Sequence, residues 1–184
     1  MTGNYLLKAP EYLFILAVLL AVSVYLNSIL LSIISLVLFL ALLFFFRAGP
    51  PIPLSQIKDK NIIMCPADGV ILGIKEHPDK KLVQVAIFLN VHNVHVQYSP
   101  YSGTIVSQQH KPGSFKPAYA FEKSEHNERM ETIILTDFGP IILVQIAGLV
   151  ARRIVAFHKK GDQIVKGEPF GLIKFGSRVD VYCR

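Results

Sequence analysis

The feature that most constrains this chain is a long uncharged segment near its N-terminus. From Tyr12 to Phe46 there is no charged residue, and almost every side chain is apolar. A helix of a soluble core needs a polar face toward water, and this segment offers none. It is also far longer than the ~20 residues that one membrane crossing requires. The pattern predicts a membrane anchor over residues 1–46.

Two geometries fit this anchor. One is a single long, tilted transmembrane helix. The other is a helical hairpin that turns at Asn27-Ser28, with arms of about 15 and 18 residues that penetrate deeply or barely span. Lys8 and Arg47 put positive charge at both ends of the segment, as the positive-inside tendency favours when both ends face one side. We favour the hairpin, with the rest of the chain on the cytoplasmic side of a membrane, the cell membrane in a prokaryote.

A linker and a basic remainder follow the anchor. Residues 47–53 contain three prolines and a glycine, a composition that ends a helix. Outside the anchor, residues 48–184 carry 17 basic and 12 acidic side chains, a net charge of +5. This charge beside an apolar segment favours an anionic bilayer as partner. The basic residues are dispersed rather than arranged in a stripe, so no nucleic-acid partner is predicted.

The cysteines and histidines do not form a metal-binding pattern. Cys65 and Cys183 are the two cysteines, and they belong to no CxxC motif and no Cys/His ligand spacing. Neither a zinc site nor a disulfide framework is therefore indicated, although the two thiols could still pair.

Residues 54–184 predict a β-rich domain, because short Val- and Ile-rich runs alternate with turns about every ten residues. The predicted strands are Asn61–Met64, Val70–Lys75, Lys81–Ile87, His95–Gln97, Gly103–Gln109, Glu131–Asp137, Pro140–Ala147, Arg153–Phe157 and Pro169–Phe175. A Pro-x-x-Gly-x-Ile pattern occurs at Pro66 and again at Pro100, and Gly161–Glu168 forms a two-glycine element. These units resemble the hammerhead strands of biotinyl- and lipoyl-type barrels. They predict an antiparallel barrel-sandwich architecture, and with it one candidate function, a non-catalytic membrane-anchored adaptor module.

The last strand-like run is interrupted at Gly176-Ser177. Within a strand such a pair ordinarily marks a bend or a bulge. Here it lies in the run Phe175–Asp180, which follows Gly167–Gly171 (Gly-Glu-Pro-Phe-Gly). Together these stretches resemble the processing site of phosphatidylserine decarboxylases of the short, archaeal-type class.

This resemblance implies a reaction and a cofactor. In the family the Gly-Ser bond cuts itself and the serine becomes a covalent pyruvoyl group, which would here derive from Ser177. The enzyme then converts phosphatidylserine to phosphatidylethanolamine and carbon dioxide. Cleavage would leave a β-chain/α-chain heterodimer, and a higher homo-oligomer is compatible with it.

The resemblance also implies catalytic partners for Ser177. A serine hydroxyl needs an adjacent base, which a third group orients. His95 lies in Asn-Val-His-Val, the family's histidine motif, and Asp68 lies in Pro-x-Asp-Gly, whose aspartate is the charge-relay carboxylate. A second histidine or basic residue often follows three positions later in the family, where this chain has Tyr98. Whether His95 serves both cleavage and decarboxylation, or His92 takes part, stays open.

Further matches to the family imply substrate contacts. Asn127 and Arg129 are expected at the pocket rim, with His92 and Tyr98 nearby. Arg152 and Arg153 could hold a phosphate group bidentately. Family members continue past the serine through a further hairpin, so we expect either that the barrel closes without it or that this is a shortened form. A Ser-His-Asp protease is a third possibility, but the chain lacks a Gly-x-Ser-x-Gly elbow.

Overall fold

A computed structural model describes residues 5–50, 52–149, 153–174 and 177–184. The chain divides into two compact units, Met1–Pro50 and Pro51–Arg184.

The first unit is a helical hairpin. Helix α1 spans Pro10–Tyr25 and helix α2 spans Ile29–Phe45, after a 3-10 turn at Leu6–Lys8. Between the helices Asn27 adopts a left-handed backbone conformation, with φ of 47°, which asparagine tolerates better than most residues. Ser28 then caps α2 by accepting a hydrogen bond from the Leu31 amide at 3.4 Å. The predicted hairpin turn is confirmed, and the alternative of one long helix is wrong.

The two helices contain 16 and 17 residues. Within the part of the chain that the structure describes, no helix combines the length and apolar character needed to cross a membrane. The transmembrane helix that the sequence predicted within residues 1–46 is therefore not found among the described residues.

In the part of the second unit that the structure describes, a short helix is followed by ten strands. Helix α3 spans Leu54–Lys58. Two 3-10 turns lie at Pro78–Lys80 and Lys123–His126. The strands are β1 Val70–His77, β2 Leu82–Leu89, β3 Val96–Tyr98, β4 Gly103–Lys111, β5 Arg129–Thr136, β6 Gly139–Ala147, β7 Ile154–Ala156, β8 Gln163–Ile164, β9 Pro169–Ile173 and β10 Ser177–Cys183.

These strands form two antiparallel sheets. The larger sheet has the order β1-β2-β10-β6-β5-β4-β8, and the smaller has the order β3-β9-β7. Strand β10 is antiparallel to β2 on one side and to β6 on the other. The mainly antiparallel β-domain is thus confirmed, while its barrel-sandwich character stays a prediction.

The hydrophobic core is built from alternate residues of these strands. Because strand side chains alternate between faces, Val179 and Val181 of β10 point to the face that carries Ile87 and Leu143. Phe170 of the smaller sheet belongs to the same buried cluster. Ser177 has the same parity as the two valines, so it also faces the core.

One predicted strand is wrong. Residues Asn61–Met64 are irregular. The Asp59 carboxylate accepts a hydrogen bond from the Asn61 amide at 2.9 Å, and such a local turn competes with strand pairing. The two-residue β8 was not predicted as a separate strand.

Candidate active site

Ser177 lies at the first position of β10, an interior strand of the larger sheet. It pairs with Leu89, the last residue of β2, and with Ala147, the last residue of β6. Its side chain is completely buried, and among the described residues its hydroxyl has no hydrogen-bond partner. A buried hydroxyl without a partner is costly, which makes it a candidate for a reacting group. Gly176 and Phe175 lie outside the described residues.

His95 is carried on a loop that leaves the end of β2. Asn93 closes this loop, because its amide donates to Asn90 O at 2.9 Å and its Oδ1 accepts from the Asn90 amide at 2.8 Å. The His95 ring is buried, with Nδ1 2.9 Å from Asn93 O. A carbonyl oxygen can only accept, so we assign the proton to Nδ1. In the neutral ring Nε2 then keeps a lone pair and can act as a base.

The Asp68 carboxylate binds the same loop, contacting both the loop backbone and the Asn93 side chain. Its Oδ2 accepts from the Val94 amide at 3.0 Å and from Asn93 Nδ2 at 3.1 Å. The neighbouring Gly69 lets the chain pass close to the backbone of β2, since a Cβ there would lie 2.2 Å from Phe88 O. Asp68 thus orients the segment that precedes His95.

These three predicted residues lie at one end of the larger sheet. Val70 pairs with Phe88 just after Asp68, Leu89 pairs with Ser177, and the loop to His95 starts at Asn90. A cavity of about 480 Å³ that includes Thr104 and Leu135 lies at the opposite end of this sheet.

Two buried glutamines connect the larger sheet to the strand that follows His95. Gln97 donates through Nε2 to His95 O at 2.6 Å, and Gln145 donates to Gln97 Oε1 at 2.8 Å. Both side chains are fully buried, and within the described residues Gln145 Oε1 has no hydrogen-bond partner. Sequence reasoning missed both, because a glutamine in an apolar strand belongs to no motif considered above.

Asn127 has its side chain fully occupied. Oδ1 accepts from the Lys116 amide at 2.9 Å and from Ser114 Oγ at 3.0 Å, while Nδ2 donates to Ala147 O at 2.8 Å and to Lys116 O at 2.7 Å. It therefore fastens the loop that starts near Ser114 to the strand end beside Ser177. Its predicted contact with substrate stays a prediction.

The other predicted substrate residues that the structure describes are dispersed around this end of the domain. Arg129 begins β5, and its buried Nε lacks a hydrogen-bond partner among the described residues. The Tyr98 amide donates to Pro66 O at 2.8 Å, two residues from Asp68. His92 and Arg153 are exposed. Arg152 lies outside the described residues.

The opposite face of β10 carries charged residues. Arg178 and Asp180 are buried there, and with Arg129 they line a cavity of about 300 Å³. Tyr182 follows on the same face. Burial, reinforced by the nearby Asp180 carboxylate, raises the pKa of Tyr182 to about 12. Within the described residues no group of three or more His, Cys, Asp or Glu side chains could hold a metal ion.

Comparison with known proteins gives the family. The family model described as phosphatidylserine decarboxylase matches residues 40–184. Three similar proteins are each named phosphatidylserine decarboxylase proenzyme. The one from Streptomyces griseus is 47% identical over 141 residues, which cover 77% of this chain and 62% of that protein. The one from Xanthobacter autotrophicus is 45% identical over 146 residues, covering 75% and 61%. The one from Ehrlichia canis is 46% identical over 159 residues, covering 83% and 69%.

The chain thus spans about three fifths of the length of the first two relatives. The family match covers most of the chain, including Asp68, His95 and Ser177. The protein belongs to the phosphatidylserine decarboxylase family.

Proposed function

We propose that this protein is a self-processing, pyruvoyl-dependent decarboxylase that converts phosphatidylserine to phosphatidylethanolamine and carbon dioxide. The observation that carries this proposal is the Ser177 hydroxyl, which is buried without a described partner at the family's processing position. The family match also favours this function over a non-catalytic barrel adaptor, which would have no use for such a hydroxyl.

Processing begins with the Ser177 hydroxyl. His95 Nε2 takes its proton, and Oγ attacks the carbonyl carbon of Gly176. The bond from this carbon to the Ser177 nitrogen breaks, the nitrogen regains a proton, and an ester replaces the amide. Removal of the Ser177 Cα proton then expels the Gly176 carboxylate. Water replaces the remaining nitrogen, which leaves as ammonia, and a ketone forms at residue 177.

The buried position of Ser177 fits a pyruvoyl group derived from it. Once formed, such a group supplies an electron sink for the decarboxylation of a bound amino acid headgroup. Burial at Ser177 limits competing reactions with bulk water. His95 is the candidate to move protons in this step as well, with His92 as the alternative.

Asp68 supports His95 through the loop backbone. Its carboxylate holds the Val94 amide and the Asn93 side chain, and the Asn93 carbonyl in turn accepts from the His95 ring. We assign Tyr98 and Arg153 to headgroup recognition. Arg129 lines the cavity on the face of β10 opposite to Ser177, so its contact with the headgroup stays a prediction from the sequence. Arg152 is an expected phosphate contact from the sequence.

The apolar hairpin is proposed to hold the enzyme at a bilayer. Large apolar side chains along it are exposed, including Val24 at 72% and Leu30 at 67%. Exposed apolar surface of this extent marks a membrane or protein contact. A lipid substrate keeps its acyl chains in the bilayer, so an enzyme held at the cytoplasmic face needs to reach only the headgroup. The two chains formed by cleavage would stay together as a heterodimer, and a higher homo-oligomer stays a prediction.

Intact-mass measurement tests self-processing. Fresh wild-type protein should separate under denaturing conditions into residues 1–176 and a C-terminal fragment that begins with a ketone at position 177. Ser177→Ala should remain one chain, while the control Ser107→Ala, in strand β4, should cleave like wild type. A wild-type chain that keeps its full mass on prolonged incubation would contradict the proposed function.

Flotation with vesicles tests the membrane contact. Val24→Lys and Leu30→Lys should reduce binding to vesicles containing anionic lipid, because each puts a charge on the apolar surface. Val70→Lys provides a matched control, since Val70 is exposed on β1 of the other unit. Unchanged flotation of the two hairpin variants would remove the hairpin from membrane binding.

A further inference from the structure

The residue directly after Ser177 is a buried arginine. Arg178 is only 1% exposed, as is Asp180 two residues further along the strand. Arg178 Nε donates to Asp180 Oδ1 at 2.6 Å, and Nη2 donates to Oδ2 at 2.5 Å. This is a bidentate pair with short, charge-assisted bonds. Burying such a pair carries a desolvation cost that a pair of apolar residues would avoid, so it calls for a reason other than stability.

The same guanidinium also binds a separate segment of the domain. Its Nη1 donates to Phe121 O at 2.8 Å and to Ser124 Oγ at 2.9 Å. The Phe121 ring lies 4.1 Å from the guanidinium carbon, within range of a cation–π contact. Arg178 therefore connects β10 to the segment 118–124.

Asp180 connects the pair to the neighbouring strand. Its Oδ2 accepts from Gln84 Nε2, on β2, at 2.7 Å. Gln84 is itself buried, and its Oε1 lies 3.0 Å from His77 Nε2 at the end of β1. The network thus attaches the first residues of β10 to β1, β2 and the segment 118–124.

We propose that Arg178 is a positioning residue that keeps the strand beginning at residue 177 in place after the chain has been cut. The proposal rests on the proposed function, because it requires cleavage before Ser177. Before the cut, the chain from β9 restrains Ser177. Afterwards residue 177 is a chain terminus, and termini fray unless other contacts hold them. Arg178 is one residue away and contributes four side-chain hydrogen bonds, so it is placed to prevent this fraying.

Arginine suits this task better than lysine. Its planar fork bonds both oxygens of Asp180 and still directs Nη1 toward Phe121 and Ser124. A lysine ammonium is a point charge that can keep the ion pair but not these directions. Arg178→Lys therefore preserves the positive charge but cannot make the directed hydrogen bonds to Asp180, Phe121 and Ser124 together.

The test compares this variant in cut and uncut protein. Arg178→Lys is made in the full chain and in the uncleavable Ser177→Ala background. The control is Lys111→Gln, which removes the 2.6 Å ion pair with Glu131 on the sheet surface. Loss of the C-terminal fragment from the cut protein is followed by native mass spectrometry. Hydrogen exchange of residues 177–183, relative to the rest of the domain, is followed in the uncut protein.

We expect cut Arg178→Lys to release its C-terminal fragment at least about tenfold faster than cut wild type, the effect of losing one charge-assisted contact. The relative exchange of residues 177–183 in the uncut background should change by less than about threefold, because the continuous chain still restrains the strand. The control should match wild type in both measurements. Ser124→Ala, a milder change, should accelerate release in the same direction and by less.

Several results would overturn the proposal. Fragment release at the wild-type rate in both Arg178→Lys and Ser124→Ala would show that Arg178 does not hold the cut strand. An increase of about tenfold or more in the relative exchange of residues 177–183 when Arg178→Lys is made in the uncut protein would show that the pair is needed before the cut as well, and is an ordinary part of the fold. If wild type itself is never cut, the proposed function fails first, and this proposal falls with it. That failure is read on wild type alone, before any variant is compared.

Discussion

The two faces of strand β10 differ in whether their buried polar groups are hydrogen-bonded. On the core face, the Ser177 hydroxyl is buried and has no hydrogen-bond partner among the described residues. On the other face, the Arg178 guanidinium and the Asp180 carboxylate are equally buried and are joined by two short hydrogen bonds. Adjacent residues of a strand point to opposite sides. One strand can therefore offer an unpaired reactive group on one face and a fully bonded anchor on the other.

This difference predicts that substitutions on the core face change the chemistry, whereas substitutions on the charged face change the stability. The largest effect is expected at His95. His95→Gln should slow self-cleavage by about 10²- to 10⁴-fold, because a general base is lost. Cleavage is followed by denaturing gel electrophoresis, with thermal unfolding to check the fold. If His92→Gln slows cleavage and His95→Gln does not, the two histidines exchange roles.

The charged face should respond through the free energy of unfolding. Asp180→Asn, in the Ser177→Ala background, leaves the Arg178 charge buried without its counter-ion and should cost about 3–5 kcal/mol. Glu131→Gln breaks the more exposed pair with Lys111 and should cost about 1 kcal/mol or less. Denaturant unfolding measures both. Equal costs in the two variants would show that burial adds nothing to the Arg178 pair.

The buried glutamines should give an intermediate effect. Gln145→Leu leaves Gln97 Oε1 without its donor and should lower the free energy of unfolding by about 1–3 kcal/mol. Because Gln97 binds the His95 carbonyl rather than the ring, cleavage should slow less than in His95→Gln. The exposed Gln109→Ala on β4 serves as the control, expected within about 0.5 kcal/mol of wild type. If the cleavage rate of Gln145→Leu falls as far as that of His95→Gln while the free energy of unfolding changes little, Gln145 takes part in the cleavage reaction.

The smallest effect concerns alkaline pH. The folded pKa of Tyr182 is about 12, above its ordinary value of 10.0, because burial and Asp180 favour the neutral phenol. The folded state therefore retains a proton that the unfolded chain loses. This contribution to stability is complete below pH 10 and is lost as the pH rises toward 12. Tyr182→Phe should lose less stability than wild type across that range. Tyr101 and Cys183 also have raised pKa values, so only the difference between the two proteins reports on Tyr182.

Local patterns predicted much of the fold and of the candidate site. The Val- and Ile-rich runs marked eight of the ten strands, and Asn27-Ser28 marked the hairpin turn, because these signals depend on neighbouring residues. Asn61–Met64 was misread, since its apolar residues suggested a strand and the Asp59 turn was overlooked. The alternation of Arg178 and Asp180 with valines was visible, but a charged pair in a strand ordinarily faces water.

The sequence by itself determined the apolar hairpin, the antiparallel β-domain and the identity of Ser177, His95 and Asp68 as candidates. Only the tertiary structure decided how their neighbours are used. It buried Arg178 and Asp180 beneath the segment 118–124 and linked Gln97 to Gln145. It also placed the Asp68 carboxylate against the Val94 amide, in the loop that precedes His95. The physical reason is range. Strand and turn preferences arise between residues a few positions apart, whereas burial and hydrogen bonding join residues that are distant in the chain, such as Gln84 and Asp180, which are 96 positions apart.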